Sequence, residues 1–170
     1  VVDDEHEICQ SIAILNFIEN IAGLKLKDPV KEAKANAILQ SAQELFLPLN
    51  PVVNFAVGED FANRRDDMLP FLQTRFEELE KIINLNGGRF FIDDTPRACD
   101  FAAFHHLDLS RKLDGKIIKE FPRLEKFLDD IASLSSIESY LSKRPELIDV
   151  SIEPKLVING KAHPTGTVKT

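Results

Sequence analysis

The segment 88–109, GRFFIDDTPRACDFAAFHHLDL, constrains this chain more than any other. A Gly-Gly turn leads into the aromatic pair Phe90-Phe91. An acidic turn containing Pro96 follows, and a helix then opens with an acid at Asp100. From Phe101 to Leu109 apolar residues nearly encircle the helix axis, which predicts a helix at the centre of a core rather than on its surface. Such a helix needs amphipathic partners around it, and the sequence on both sides has the period to supply them.

Residues 1–8 read as a short strand and an acidic turn. A helix is predicted over 10–22, with Ile14, Leu15, Ile18 and Ile21 on one face and Gly23 as its stop. Residues 24–28 form a linker, and Pro29 opens the next helix, from Val30 to Phe46 or Leu47. Ala35, Ile38, Leu39, Ala42, Leu45 and Phe46 keep its period until Pro48 and Pro51 break it. Residues 52–61 fit either a kinked continuation or a loop. A further helix is predicted over 66–84, with Leu69, Leu72, Phe76, Leu79 and Ile83 as its buried stripe and Pro70 tolerable only near its start. Ile117, Ile118 and Phe121 close a short segment. Pro122 starts a helix carrying Leu124, Phe127, Leu128 and Ile131 at helical spacing, and 136–143 form one more. Residues 150–170 lose the period and read as an extended tail with a strand at 156–158. Regular strand signals are otherwise nearly absent, so the fold class is all-α.

Composition narrows the function classes. The 170 residues are 44% hydrophobic, enough for a real core, and carry a net charge of -7 without a basic run. Such a surface repels phosphate backbones and anionic bilayers, so no nucleic acid and no membrane is expected as a partner. Cys9 and Cys99 form no disulfide framework, and neither a signal peptide nor a membrane span is visible, which fits a reducing, cytoplasmic setting. No metal is expected. His105 and His106 are adjacent and diverge by about 100° around a helix. His105 and Asp108 could pair as a structural hydrogen bond, and the paired acids lack calcium-loop spacing.

Gln10-Ser11 opens its helix with a carboxamide, a hydroxyl and the positive helix end, a combination suited to a carboxylate or to an ordinary N-cap. The stretch Cys9-Gln10-Ser11-Ile12-Ala13-Ile14-Leu15-Asn16-Phe17-Ile18 resembles the glutathione transferase motif in which a Gln-Ser pair grips the γ-glutamyl end of glutathione. The helix at Asp100 is similar to that family's capped core helix, in which Ser or Thr at the cap faces an acid three residues on. Here the cap is Arg97, which cannot accept a hydrogen bond, and the family's glycine before the acidic turn is Asp93. Phe121-Pro122-Arg123-Leu124 and the later Ser139-Tyr140-Leu141-Ser142-Lys143-Arg144-Pro145 resemble the sigma and mu branches in order and spacing.

The resemblance implies three parts: 1–23 as the end of a thioredoxin-like α/β domain, 24–150 as the C-terminal helical bundle, and 151–170 as a tail. It implies a homodimer built on the helix from Val30 to Leu47, and conjugation or isomerisation of small apolar electrophiles, as in detoxification, with glutathione as co-substrate. Gln10, Ser11 and Glu44 would bind glutathione, Glu44 from the neighbouring subunit, and Phe46, Leu47 and Phe55 would line the electrophile wall. No catalytic residue is assigned. The thiolate-stabilising tyrosine would lie upstream of Val1, and Tyr140 is expected to pack its ring in the core. The alternative is a non-catalytic structural or assembly module of the same fold.

Overall fold

The computed structural model describes residues 6–56 and 58–143, without the side chains of 54 and 55, and the backbone of 155–158 and 161–164. Residues 1–5, with most of the predicted first strand, lie outside the described residues, as do Arg144 and Pro145. Residues 6–9 form no regular element.

Helix α1 spans Ser11–Ile21. Gly23 ends it in the left-handed region at φ 70°, and the Gly23 and Leu24 amides donate to the Asn20 and Glu19 carbonyls at 3.1 and 3.0 Å. This double bond pattern needs the positive φ that glycine adopts without cost. Helix α2, Pro29–Glu44, is capped by Asp28, whose Oδ1 accepts from the Val30 and Lys31 amides at 2.8 and 3.1 Å. Ala35, Ile38, Leu39 and Ala42 form its buried face, as their spacing predicts.

The prolines act differently from expectation. Pro48 lacks the N–H that would bond to Glu44, so α2 ends there, yet the chain turns directly into α3, Phe46–Phe55, with Pro48 in its first turn and Pro51 inside. Helix α4 then runs over Gly58–Asn86, two turns earlier than the predicted start and straight through Pro70. Phe61 and Met68 extend the buried stripe of Leu72, Phe76, Leu79 and Ile83 toward the N-terminus, and this packing outweighs the missing proline donor.

Helix α5, Ala98–Leu113, is the predicted central helix, and Ala102, Ala103, His106, Leu107 and Ser110 are among its buried residues. Helices α2 and α3 pack against it on one side and α6, Pro122–Ala132, on another, with α4 closing over α6. A 3-10 turn, Ile117–Glu120, leads into α6, and α7 covers Ser135–Lys143. The turn before α5 is held tightly. Phe90 N donates to the Asp93 carbonyl at 2.9 Å, and a Cβ on Gly88 would fall 2.8 Å from the Asp93 backbone. Phe91 meets Phe127 edge-on, with 5.0 Å between ring centroids.

The predicted strand in the tail is present as β1, Lys155–Ile158. It pairs antiparallel with β2, Lys161–Pro164, in the register Lys155 to Pro164 and Ile158 to Lys161.

One burial expectation is overturned. Tyr140 is 59% exposed, because α7 is an edge helix with no fully buried residue. On α1 the isoleucines Ile14, Ile18 and Ile21 are exposed, while Ile12 and Leu15 pack on the core. Helical period identifies an apolar face but not which face the bundle covers.

Candidate functional site at the start of helix α1

Gln10 occupies the N-cap of α1 at φ 73°, ψ 120°, and it is the one non-glycine residue with positive φ among those described. A side chain in that region costs about 1–3 kcal/mol, and such strain persists where surrounding structure enforces it. The Gln10 carbonyl accepts from the Ile14 amide at 3.0 Å, so the strained residue still joins the helix. Its carboxamide makes no capping bond. Gln10 and Ser11 are both exposed at the positive end of the helix. The arrangement offers a donor-acceptor carboxamide, a hydroxyl and helix-end N–H groups to an anionic group.

The other end of α1 holds the bundle. Glu19 Oε1 accepts from the Ala98 amide at 3.1 Å, and the Arg97 guanidinium donates to the Leu24 carbonyl. Arg97 also donates to Asp93 Oδ2 at 2.8 Å. Asp100 lies beneath, its Oδ1 accepting from the Phe91 amide at 2.9 Å and its Oδ2 from the Arg97 amide at 2.8 Å. Its side of the expected capping reciprocity is therefore made, while Arg97 offers no acceptor in return. Burial dominates its environment and pushes the Asp100 carboxyl up to about 6 despite these two amide donors.

The remaining predicted residues lie on other elements. Glu44 is the last residue of α2 and pairs with Arg75 of α4 at 2.9 Å, and Arg75 also holds Glu78 at 2.8 Å. Phe46 and Leu47, in the first turn of α3, are 47% and 76% exposed. Phe55 closes the backbone of α3, and its side chain is outside the described part. The Phe46 ring centroid lies 6.2 Å from that of His106. His106 is buried, its Nδ1 lacks a hydrogen-bond partner, and burial lowers its pKa to about 4, with the neighbouring His105 adding to the effect. The ring is thus neutral at physiological pH. Asp108 pairs with Arg111 at 2.9 Å and Lys112 at 3.2 Å. Among the described residues no cluster of His, Cys, Asp or Glu is placed to hold a metal, and no helix is long and apolar enough to cross a membrane.

Sequence reasoning missed Glu19 and the role of Arg97. The available signal was the deficiency itself: a buried helix whose cap residue cannot accept a hydrogen bond needs an acceptor from elsewhere.

The profile of the glutathione S-transferase C-terminal domain matches residues 49–144, more than half of the chain. The chain belongs to the glutathione S-transferase family. It is 27% identical over 141 residues to the class-mu 26 kDa isozyme 51 of Fasciola hepatica, covering 82% of this chain and 62% of that one. It is 25% identical over 142 residues to glutathione S-transferase Mu 1 of Macaca fascicularis, covering 83% and 62%. S-crystallin SL11 of Nototodarus sloanii matches at 26% over 153 residues, covering 84% and 71%. The chain therefore spans about six-tenths of the two transferases. The solved glutathione S-transferase Blo t 8 superimposes with a TM-score of 0.76 at 21% identity, over 84% of this chain and 66% of that one, a likeness of fold.

Proposed function

We propose that this protein is a glutathione transferase whose Gln10-Ser11 pair binds the γ-glutamyl end of glutathione. The observation carrying this reading is the strained Gln10 at the opening of α1 (φ 73°), in a chain whose relatives include named transferases. A plain N-cap needs no residue in that conformation, and Gln10 makes no capping bond. Glutathione acts as co-substrate, and a small apolar electrophile is conjugated or isomerised against Phe46, Leu47 and Phe55. The thiolate is stabilised by a tyrosine carried outside these 170 residues. A homodimer formed on the α2 face lets Glu44 approach the glutathione ammonium of the neighbouring subunit, sharing its carboxylate with Arg75. The setting is cytoplasmic.

Calorimetric titration of the full-length protein with glutathione tests this. Ser11→Ala is expected to weaken binding by about 1–2 kcal/mol, roughly 5- to 30-fold, while the melting temperature stays put. Unchanged affinity would remove Ser11 from the site. The second reading, a non-catalytic structural member of the fold, is favoured by the S-crystallin match at an identity close to that of the transferases. A wild-type protein that binds no glutathione would establish it over the first.

A further inference from the structure

Helix α1 carries the glutathione-binding pair at its start and has no fully buried residue. Among the described residues, its apolar hold on the bundle comes from Ile12 and Leu15, both only partly buried, while Ile14, Ile18 and Ile21 are exposed. Apolar contacts of this kind are non-directional and leave a helix free to roll. Orientation must come from directional bonds, and two are present at the far end of α1. Glu19 receives the Ala98 amide at 3.1 Å, and the Leu24 carbonyl receives the Arg97 guanidinium. The first bond fixes the helix itself. The second fixes the linker immediately behind the Gly23 stop. Arg97 is held in turn by Asp93 at 2.8 Å and is 8% exposed, so its direction is set. Glu19 stands eight residues from Ser11, about 12 Å along the helix axis, so a rotation at the clasp is carried to the binding pair.

We propose that Glu19 and Arg97 are positioning residues that clamp α1 to the start of α5 and so orient Gln10-Ser11 for glutathione. This rests on the glutathione-binding reading. Arg97 stands where a capped helix would carry Ser or Thr to receive its second or third amide; α1 supplies an acceptor to the first amide of α5 instead, Ala98 N. The same bond that completes α5 thereby ties the ligand-binding helix to it.

The test separates capping from positioning. In the full-length protein, Glu19→Ala removes both functions, Glu19→Gln keeps an oxygen acceptor, and Glu19→Ala combined with Arg97→Ser restores a local cap without the tie. Hydrogen exchange of the α1 amides and glutathione affinity are measured with the melting temperature. Glu19→Ala is expected to speed α1 exchange and to weaken glutathione affinity, each about tenfold, and Glu19→Gln to restore most of both. The double variant is expected to regain part of the thermal stability, since Arg97→Ser also removes the bonds to Leu24 and Asp93, but neither affinity nor α1 protection. Recovery of all three in the double variant would reduce Glu19 to a cap and overturn the proposal. Unaltered α1 exchange in Glu19→Ala would overturn it as well. If the wild type binds no glutathione, the functional reading fails, and the exchange data still decide whether the clasp holds α1.

Discussion

Replacing Asp100 by alanine isolates the interaction that starts the central helix. The carboxylate is fully buried and accepts two backbone amides, Phe91 N at 2.9 Å and Arg97 N at 2.8 Å. The first bond closes the turn before α5, and the second closes its cap. In Asp100→Ala both N–H groups lose their acceptor in a water-excluded place, at about 1–3 kcal/mol each. A net loss of roughly 2–5 kcal/mol follows, or about 4–20 °C in Tm for a chain of this size. The loss also has a predictable pH dependence. Burial raises the folded-state pKa from 3.8 to about 6, so the folded protein holds a proton that the unfolded chain has released. A raised carboxyl pKa contributes stability that is fully present below the unfolded value and is lost as pH rises through the folded one. The penalty of Asp100→Ala should therefore be larger at about pH 5 than at about pH 7.5, by roughly 1–1.5 kcal/mol. Urea unfolding followed by circular dichroism at both pH values measures this, with an unchanged m-value certifying that the end states are comparable. A penalty under about 0.5 kcal/mol, or one larger at the higher pH, would refute the reasoning.

Two further outcomes follow from burial. Cys9 is exposed whereas Cys99 is buried with its thiol pKa pushed up, so iodoacetamide should label one site on the native protein and both after denaturation; rapid native labelling of Cys99, read by peptide mass mapping, would contradict the packing around α5. His106, lowered to about 4 by burial, should show no imidazole titration between about pH 5 and 8 in NMR spectra, and a midpoint near that of free histidine would place its ring in solvent.

The helical bundle was largely legible because its strongest signals are local. The spacing of Ala35, Ile38, Leu39 and Ala42 and of Leu124, Phe127, Leu128 and Ile131 marks faces that the fold buries. Gly23 and Pro122 act where their backbone chemistry says they should. The errors came where tertiary packing decides. Pro70 is carried inside α4 because Phe61 and Met68 find core partners. The stripe Ile14, Ile18 and Ile21 is as periodic as a buried one, yet the described residues leave it exposed. For the candidate site, the polar pair at Gln10 and Ser11 was visible in the sequence, but the conformation of Gln10 was not, since nothing in a glutamine signals positive φ.

Non-local capping is a further feature that sequence alone could not supply. The helix starts at α5 and α6 carry Arg97 and Phe121 at their cap positions, neither of which can accept a backbone hydrogen bond through its side chain. Each start is completed by a glutamate from another helix. Glu19 reaches the Ala98 amide at 3.1 Å, and Glu80 spans the Arg123 and Leu124 amides at 3.0 and 2.8 Å. Arg123 then turns its own guanidinium to the Gly88 and Arg89 carbonyls, at 2.6 and 2.7 Å, holding the turn that precedes α5. These bonds run α1 to α5, α4 to α6 and α6 to the turn before α5, so the polar contacts link elements that apolar packing alone would let slide. A cap supplied by a neighbouring helix forms only when that helix has docked, whereas a local Ser or Thr cap forms in an isolated segment. Helix initiation and assembly are thus a single event in this bundle, and the absence of a local cap at a buried helix start is itself a pointer to a tertiary contact.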